Sequence, residues 1–109
     1  MSEQVLIVTG VSPDGVEAIL NAIAEAGGGV VGDYSHCSFI NDGYGRFKPG
    51  ESANPHVGEP ETINQVKQVR IETFCERPIA KQVVQAIRKA HVYEEPVIYV
   101  LPLLNADDL

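Results

Sequence analysis

Hydrophobic positions along the chain state one unit twice, about 64 residues apart. The first copy runs Val5, Ile7, Thr9 and then Val16, Ile19, Leu20, Ile23; the second runs Val69, Ile71, Thr73 and then Ala80, Val83, Val84, Ile87. In each, the first three positions lie two apart, which puts them on one face of a pleated strand. The next four lie at i, i+3, i+4, i+7, the stripe with which a helix covers a sheet. A proline, Pro13 or Pro78, stands in the connection each time. Ser12 is the candidate N-cap of the first helix, Asp14 and Glu17 suit its first turn, and Gly27-Gly28-Gly29 ends it. Arg88-Lys89 give the second helix a basic end that suits the negative pole of its dipole. Two strand-helix units sharing a sheet predict a duplicated α+β domain covering 1–109.

The middle of the chain is harder to explain as scaffold. Residues 30–40 read as a long strand, Asn41-Asp42-Gly43 as a turn and Tyr44–Phe47 as the returning strand, an extended β-hairpin. Residues 48–60 carry three prolines and two glycines and form no regular element. A loop of that length in a small domain is functional or disordered, and its low charge and Pro/Gly placement favour an ordered one. Pro96 sends the chain out of helix into a last strand over Val97–Leu101.

Charge and composition narrow the function. A formal net charge of −7, with eight scattered Lys and Arg, works against nucleic-acid binding. No run approaches a membrane span, and no basic-then-apolar signal opens the chain, which places it in the cytoplasm without a membrane partner. Cys37 and Cys75 have no framework spacing and read as reduced thiols. Gly27-Gly28-Gly29 sits at a helix C-terminus and so does not cradle phosphate.

Tyr34–Phe39 (Y-S-H-C-S-F), Gly43-x-Gly45-x-Phe47-x-Pro49 and Ala53-Asn54-Pro55-x-x-Gly58 together resemble the PII-like, CutA-like domain of the YqfO family, the Ngg-interacting-factor-three-like proteins also called GTP cyclohydrolase type-I type-2 homologues. His91-Val92-Tyr93-Glu94-Glu95-Pro96 is similar to that family's His-Pro-Tyr-Glu-Glu-Pro, with Val92 in place of proline. The resemblance implies a ferredoxin-like βαβ sandwich and a stand-alone version of the domain, whose CutA and PII relatives assemble as trimers. It also implies that the family's two metal ions belong to flanking domains, so no enzyme assignment is inherited.

The candidate residues then fall into two groups. Tyr34, Arg46, Phe47 and Asn54 are the ligand-binding candidates: Arg46, with Lys48 beside it and Tyr34, Phe39, Tyr44 and Phe47 around it, suits an aromatic-lined anion site at a subunit boundary. The plainer reading makes those aromatics cross-strand packing pairs. His36, Cys37, His91 and Glu94 are the metal candidates for a divalent ion. Adjacent on a strand, His36 and Cys37 face opposite ways, so a shared site requires a second copy. For His91 the plainer role is a helix-terminal residue bonding the last carbonyls. The reading is therefore a non-enzymatic homotrimeric binding or regulatory module for a small-molecule or protein ligand; a divalent-metal protein of the CutA kind comes next, and an enzyme with a site between subunits last.

Overall fold

The computed structural model describes residues 3–109. Strands β1 (Gln4–Val11), β2 (Phe39–Phe47), β3 (Asn64–Glu76) and β4 (Ile98–Pro102) form one sheet in the order β2-β3-β1-β4, with every neighbouring pair antiparallel. Helices α1 (Val16–Glu25) and α2 (Ala80–Ala90) each follow a short 3-10 turn opened or carried by the proline, Pro13–Gly15 and Arg77–Ile79. This is the duplicated α+β domain that the repeat predicts, in the ferredoxin-like arrangement that the resemblance implies.

The repeat is visible in the register. Ile7 pairs with Thr73 and Thr9 with Ile71 at the centre of the sheet, so the two copies meet across an approximate twofold axis. Val5, Ile7, Val11, Val69, Ile71 and Cys75 share one sheet face, and Ile19, Ile23, Val83 and Ile87 close over it. The two repeated threonines are buried in this layer and answer the same need. Thr9 donates to Val97 O (2.8 Å) and Thr73 to Cys37 O (2.9 Å), each satisfying a carbonyl just before an edge strand.

Ser12 does not cap α1 as its position suggested; its hydroxyl donates to Asp14, and Gly15 takes the helix N-cap position. The glycine stop is a Schellman motif, with Gly28 N donating to Ile23 O (2.9 Å), Gly27 N to Ala24 O (3.1 Å), and Gly27 at φ +95°.

The hairpin differs from its sequence reading. Residues 30–38 are a loop held by a bridge between Val31 and Tyr34, and β2 runs straight through Asn41-Asp42-Gly43. The reversal expected there is made earlier, where Gly29, Gly32 and His36 all take positive φ. The true hairpin joins β2 to the thirteen-residue β3 and projects beyond the helices, giving the molecule a long axis of 48 Å. Its aromatics do not pair across strands: Phe39 faces Glu72, Tyr44 faces Lys67 and Phe47 faces Asn64.

Residues 48–63 fold back on themselves. Glu61 N donates to Pro49 O (2.8 Å), and the Asn64 side chain bonds Glu59 twice and Thr62 once.

Candidate functional site

Helices cover only one face of the sheet. On the other, the register sets Leu6, Val8, Phe39, Phe74, Tyr99 and Leu101 around the Arg70–Glu72 ion pair (2.9 Å), Glu72 lying between Val8 and Phe39, and Phe39, Tyr99 and Leu101 are well exposed. Toward the hairpin this face sinks into a cavity of about 670 Å³. Its floor is made by absent side chains. A Cβ on Gly10 would lie 2.9 Å from the Gln68 amide and one on Gly45 2.8 Å from it, so the two glycines let Gln68 lie across the strands. Phe47 and Tyr99 supply aromatic walls, Lys48 and Arg70 bring positive charge, Arg70 with its Nε held by Glu72 Oε1 at 2.9 Å, and Glu94 and Glu95 also line the cavity.

Two segments enclose it. Ala53, Pro55, His56 and Val57 come from the loop between β2 and β3, and Tyr93 to Glu95 from the turn between α2 and β4. They are tied together: Asn54 N donates to Glu94 Oε1 (2.9 Å), and His56 Nε2 meets Asp14 Oδ2 at 2.8 Å. Hydrogen bonds from Ser12 and then His56 hold the Asp14 carboxyl below its usual pKa. Tyr93 packs its ring between His91 (4.8 Å) and His56 (6.2 Å), and burial pushes its phenol pKa up.

His91 has a different role from the helix-end contact expected of its side chain. Nε2 donates to Gly10 O (2.9 Å) and Nδ1 accepts from Tyr93 N (3.1 Å), an arrangement only the neutral ring can make. Burial accordingly lowers its pKa. Because the folded state disfavours the proton, stability is complete above the ordinary histidine value of about 6.5 and falls as pH drops below it. We expect His91→Gln to remove this part of the acid sensitivity, read as a smaller loss of melting temperature between pH 7 and pH 5 than in wild type. An unchanged difference would show that His91 is not the titrating group.

Of the ligand-binding candidates, Phe47 lines the cavity on the helix-free face, whereas Arg46, its neighbour along β2, borders the cavity but turns its side chain to the other face, where it donates to Gln65 Oε1 at 2.9 Å. Asn54 stands at the rim and contributes through its backbone, whereas Tyr34 lies in the separate 30–38 loop. His36 and Cys37 lie in that loop too, His36 at φ +60° with Nδ1 2.8 Å from Ser35 Oγ, so they do not alternate along a strand. Among the described residues no group of three or more His, Cys, Asp or Glu is gathered as a metal would need, so His36, Cys37, His91 and Glu94 do not converge within one chain. Gln68, Arg70 and Tyr99 escaped the sequence reading and Asp14 was noticed only for its place in a helix turn; the Ala53–Gly58 motif, which spans His56, and the His91–Pro96 motif, which contains Tyr93, were the hints to this neighbourhood.

The sheet order and one-sided helices define a CutA/PII-like fold. The divalent ion tolerance protein CutA1 of Ehrlichia chaffeensis superposes with a TM-score of 0.70 at 18% identity, covering 99% of this chain and 88% of that one. A Bacillus cereus protein related to NIF3 superposes at 0.83 with 35% identity, over 95% of this chain and 26% of its own. The GTP cyclohydrolase 1 type 2 homolog of Bacillus subtilis strain 168 is 39% identical over 87 residues, 80% of this chain and 23% of that relative. No protein-family model matches. The chain thus carries the PII-like, CutA-like domain of the NIF3/YqfO family, as its motifs indicated, and spans about a quarter of the length of the curated relatives it matches. Among the described residues no helix is long and apolar enough to cross a membrane.

Proposed function

We propose that this domain is a non-enzymatic, cytoplasmic, homotrimeric binding or regulatory module, and that its ligand is a small anion with a flat apolar part seated in the cavity of the helix-free face. The observation that carries this reading is the composition of that cavity: a glycine floor and aromatic walls beside Lys48 and Arg70, on the face whose exposed apolar residues suit contact with another copy. Flat groups stack on Phe47 and Tyr99, while guanidinium groups recognise carboxylate or phosphate through paired donors. A divalent ion held by His36, Cys37, His91 and Glu94 would need ligands from two copies.

A thermal-shift screen of nucleotides and aromatic carboxylates tests the reading. At least one compound is expected to stabilise the protein and to lose about tenfold in affinity on Arg70→Gln, since a hydrogen bond to a charged group contributes about 1.5–3 kcal/mol. Binding indifferent to both Arg70→Gln and Lys48→Gln, or no binding across the screen, would count against the site.

A further inference from the structure

The loop between β2 and β3 is held unevenly. Its base is fastened at several points by Glu61 to Pro49 and by the three bonds of Asn64, and Gly58 lies so close to the hairpin that a Cβ there would stand 2.9 Å from both Phe47 and Asn64. The crown, Ala53–Val57, bears on the cavity through Ala53, Pro55, His56 and Val57. Among the described residues two long-range hydrogen bonds hold it, Asn54 N to Glu94 Oε1 and His56 to Asp14, and all four residues' bonding groups lie in exposed contacts. Exposed single bonds and ion pairs contribute little, so the crown releases at low cost while the base stays closed.

The two catches also have fixed anchors. Asp14 belongs to the 3-10 turn directly after β1, where Ser12 donates to it, and Glu94 belongs to the turn leading into β4. The crown therefore bridges from the hairpin to both central-edge segments across one side of the cavity. We infer that Ala53–Val57 is a latched strap, and that the Asp14–His56 and Glu94–Asn54 catches govern how fast a molecule reaches and leaves the cavity. This rests on the cavity being the binding site proposed above, but the latch itself is measured without ligand.

Hydrogen exchange of the full chain, followed by mass spectrometry, tests it. In Asp14→Ala, His56→Ala and Glu94→Ala, amides of residues 52–58 are expected to exchange about fivefold faster, the factor for one hydrogen bond, with β1 and β3 unchanged. Asp14→Ala combined with Glu94→Ala should accelerate them further. In a Gln68→Cys background, thiol labelling at that position, located by peptide mass, is expected to speed up in parallel. Strap exchange unmoved in the double variant overturns the latch, as does equal acceleration throughout the sheet, which would mark general destabilisation. A loosened strap with unchanged labelling at position 68 overturns its control of the cavity. Failure of the binding reading would show separately, as the lack of any ligand in the screen.

Discussion

Gly29→Ala is expected to cost roughly 3 kcal/mol and to lower the melting temperature by on the order of 15 °C. Gly29 follows the Schellman motif at φ +70°, donates from its N–H to Phe74 O (2.8 Å) and accepts from Cys37 N (2.9 Å), so it joins the end of α1, strand β3 and the loop that leads to β2. A Cβ there would sit 2.5 Å from Cys37 O, the same carbonyl that takes the Thr73 hydroxyl. A side chain at positive φ costs about 1 kcal/mol on its own, and moving Cys37 away weakens two or more buried hydrogen bonds at about 1 kcal/mol each. Gly32→Ala is the control: it also has positive φ, at +53°, but a Cβ there meets nothing within 4 Å, so about 1 kcal/mol is expected. Equal losses in the two variants, measured by thermal or denaturant unfolding, would show that backbone strain alone matters and that the Cys37 contact does not.

The same segment marks where the sequence stops being readable. Strands β1 and β3 and both helices were legible because each buries one face, and burial writes a period of two or 3.6 into the residues. Even the pairing of Ile7 with Thr73 and Thr9 with Ile71 follows from the repeat once the copies are placed antiparallel. Strand β2 carries no such imprint. It lies at the sheet edge, all its residues are exposed or half-buried, and Asn41-Asp42-Gly43 has the local chemistry of a turn. Only the thirteen-residue partner β3 holds it extended, and a local window contains no sign of that. The cavity was legible in part. Arg46 and Phe47 stood out as a basic residue among aromatics, but Asp14 and His56 are 42 residues apart and Asn54 and Glu94 are 40 apart, so neither catch leaves a spacing signal. His91 was noticed for the right position and the wrong chemistry: its contacts to Gly10 and Tyr93 need the neutral ring, whereas a helix-end reading favours the charged one.

Leu101→Asp is expected to convert the proposed trimer of the 11.8 kDa chain into monomers at micromolar concentration. An antiparallel sheet with one face covered by helices ordinarily turns polar residues to water on the other. Here that face carries Leu6, Val8, Phe39, Phe74, Tyr99 and Leu101 alongside the polar Gln68, Arg70 and Glu72, and β4, an edge strand, leaves Tyr99, Val100 and Leu101 exposed along its length. The projecting β2–β3 hairpin of one copy can add to the open edge of the next, using main-chain hydrogen bonds that both edges leave unpaired. In the proposed trimer, three such contacts would bury these apolar residues together and bring a neighbour to the mouth of the cavity. An aspartate at position 101 would then be buried in every contact without a partner, at several kcal/mol each, whereas in the isolated chain Leu101 is 44% exposed and the substitution leaves the core intact. Light scattering with circular dichroism measures both halves of this: a folded spectrum, with the mass falling from three chains to one. A wild-type mass of one chain across the micromolar range, or a Leu101→Asp protein that stays trimeric, would sink the proposed assembly.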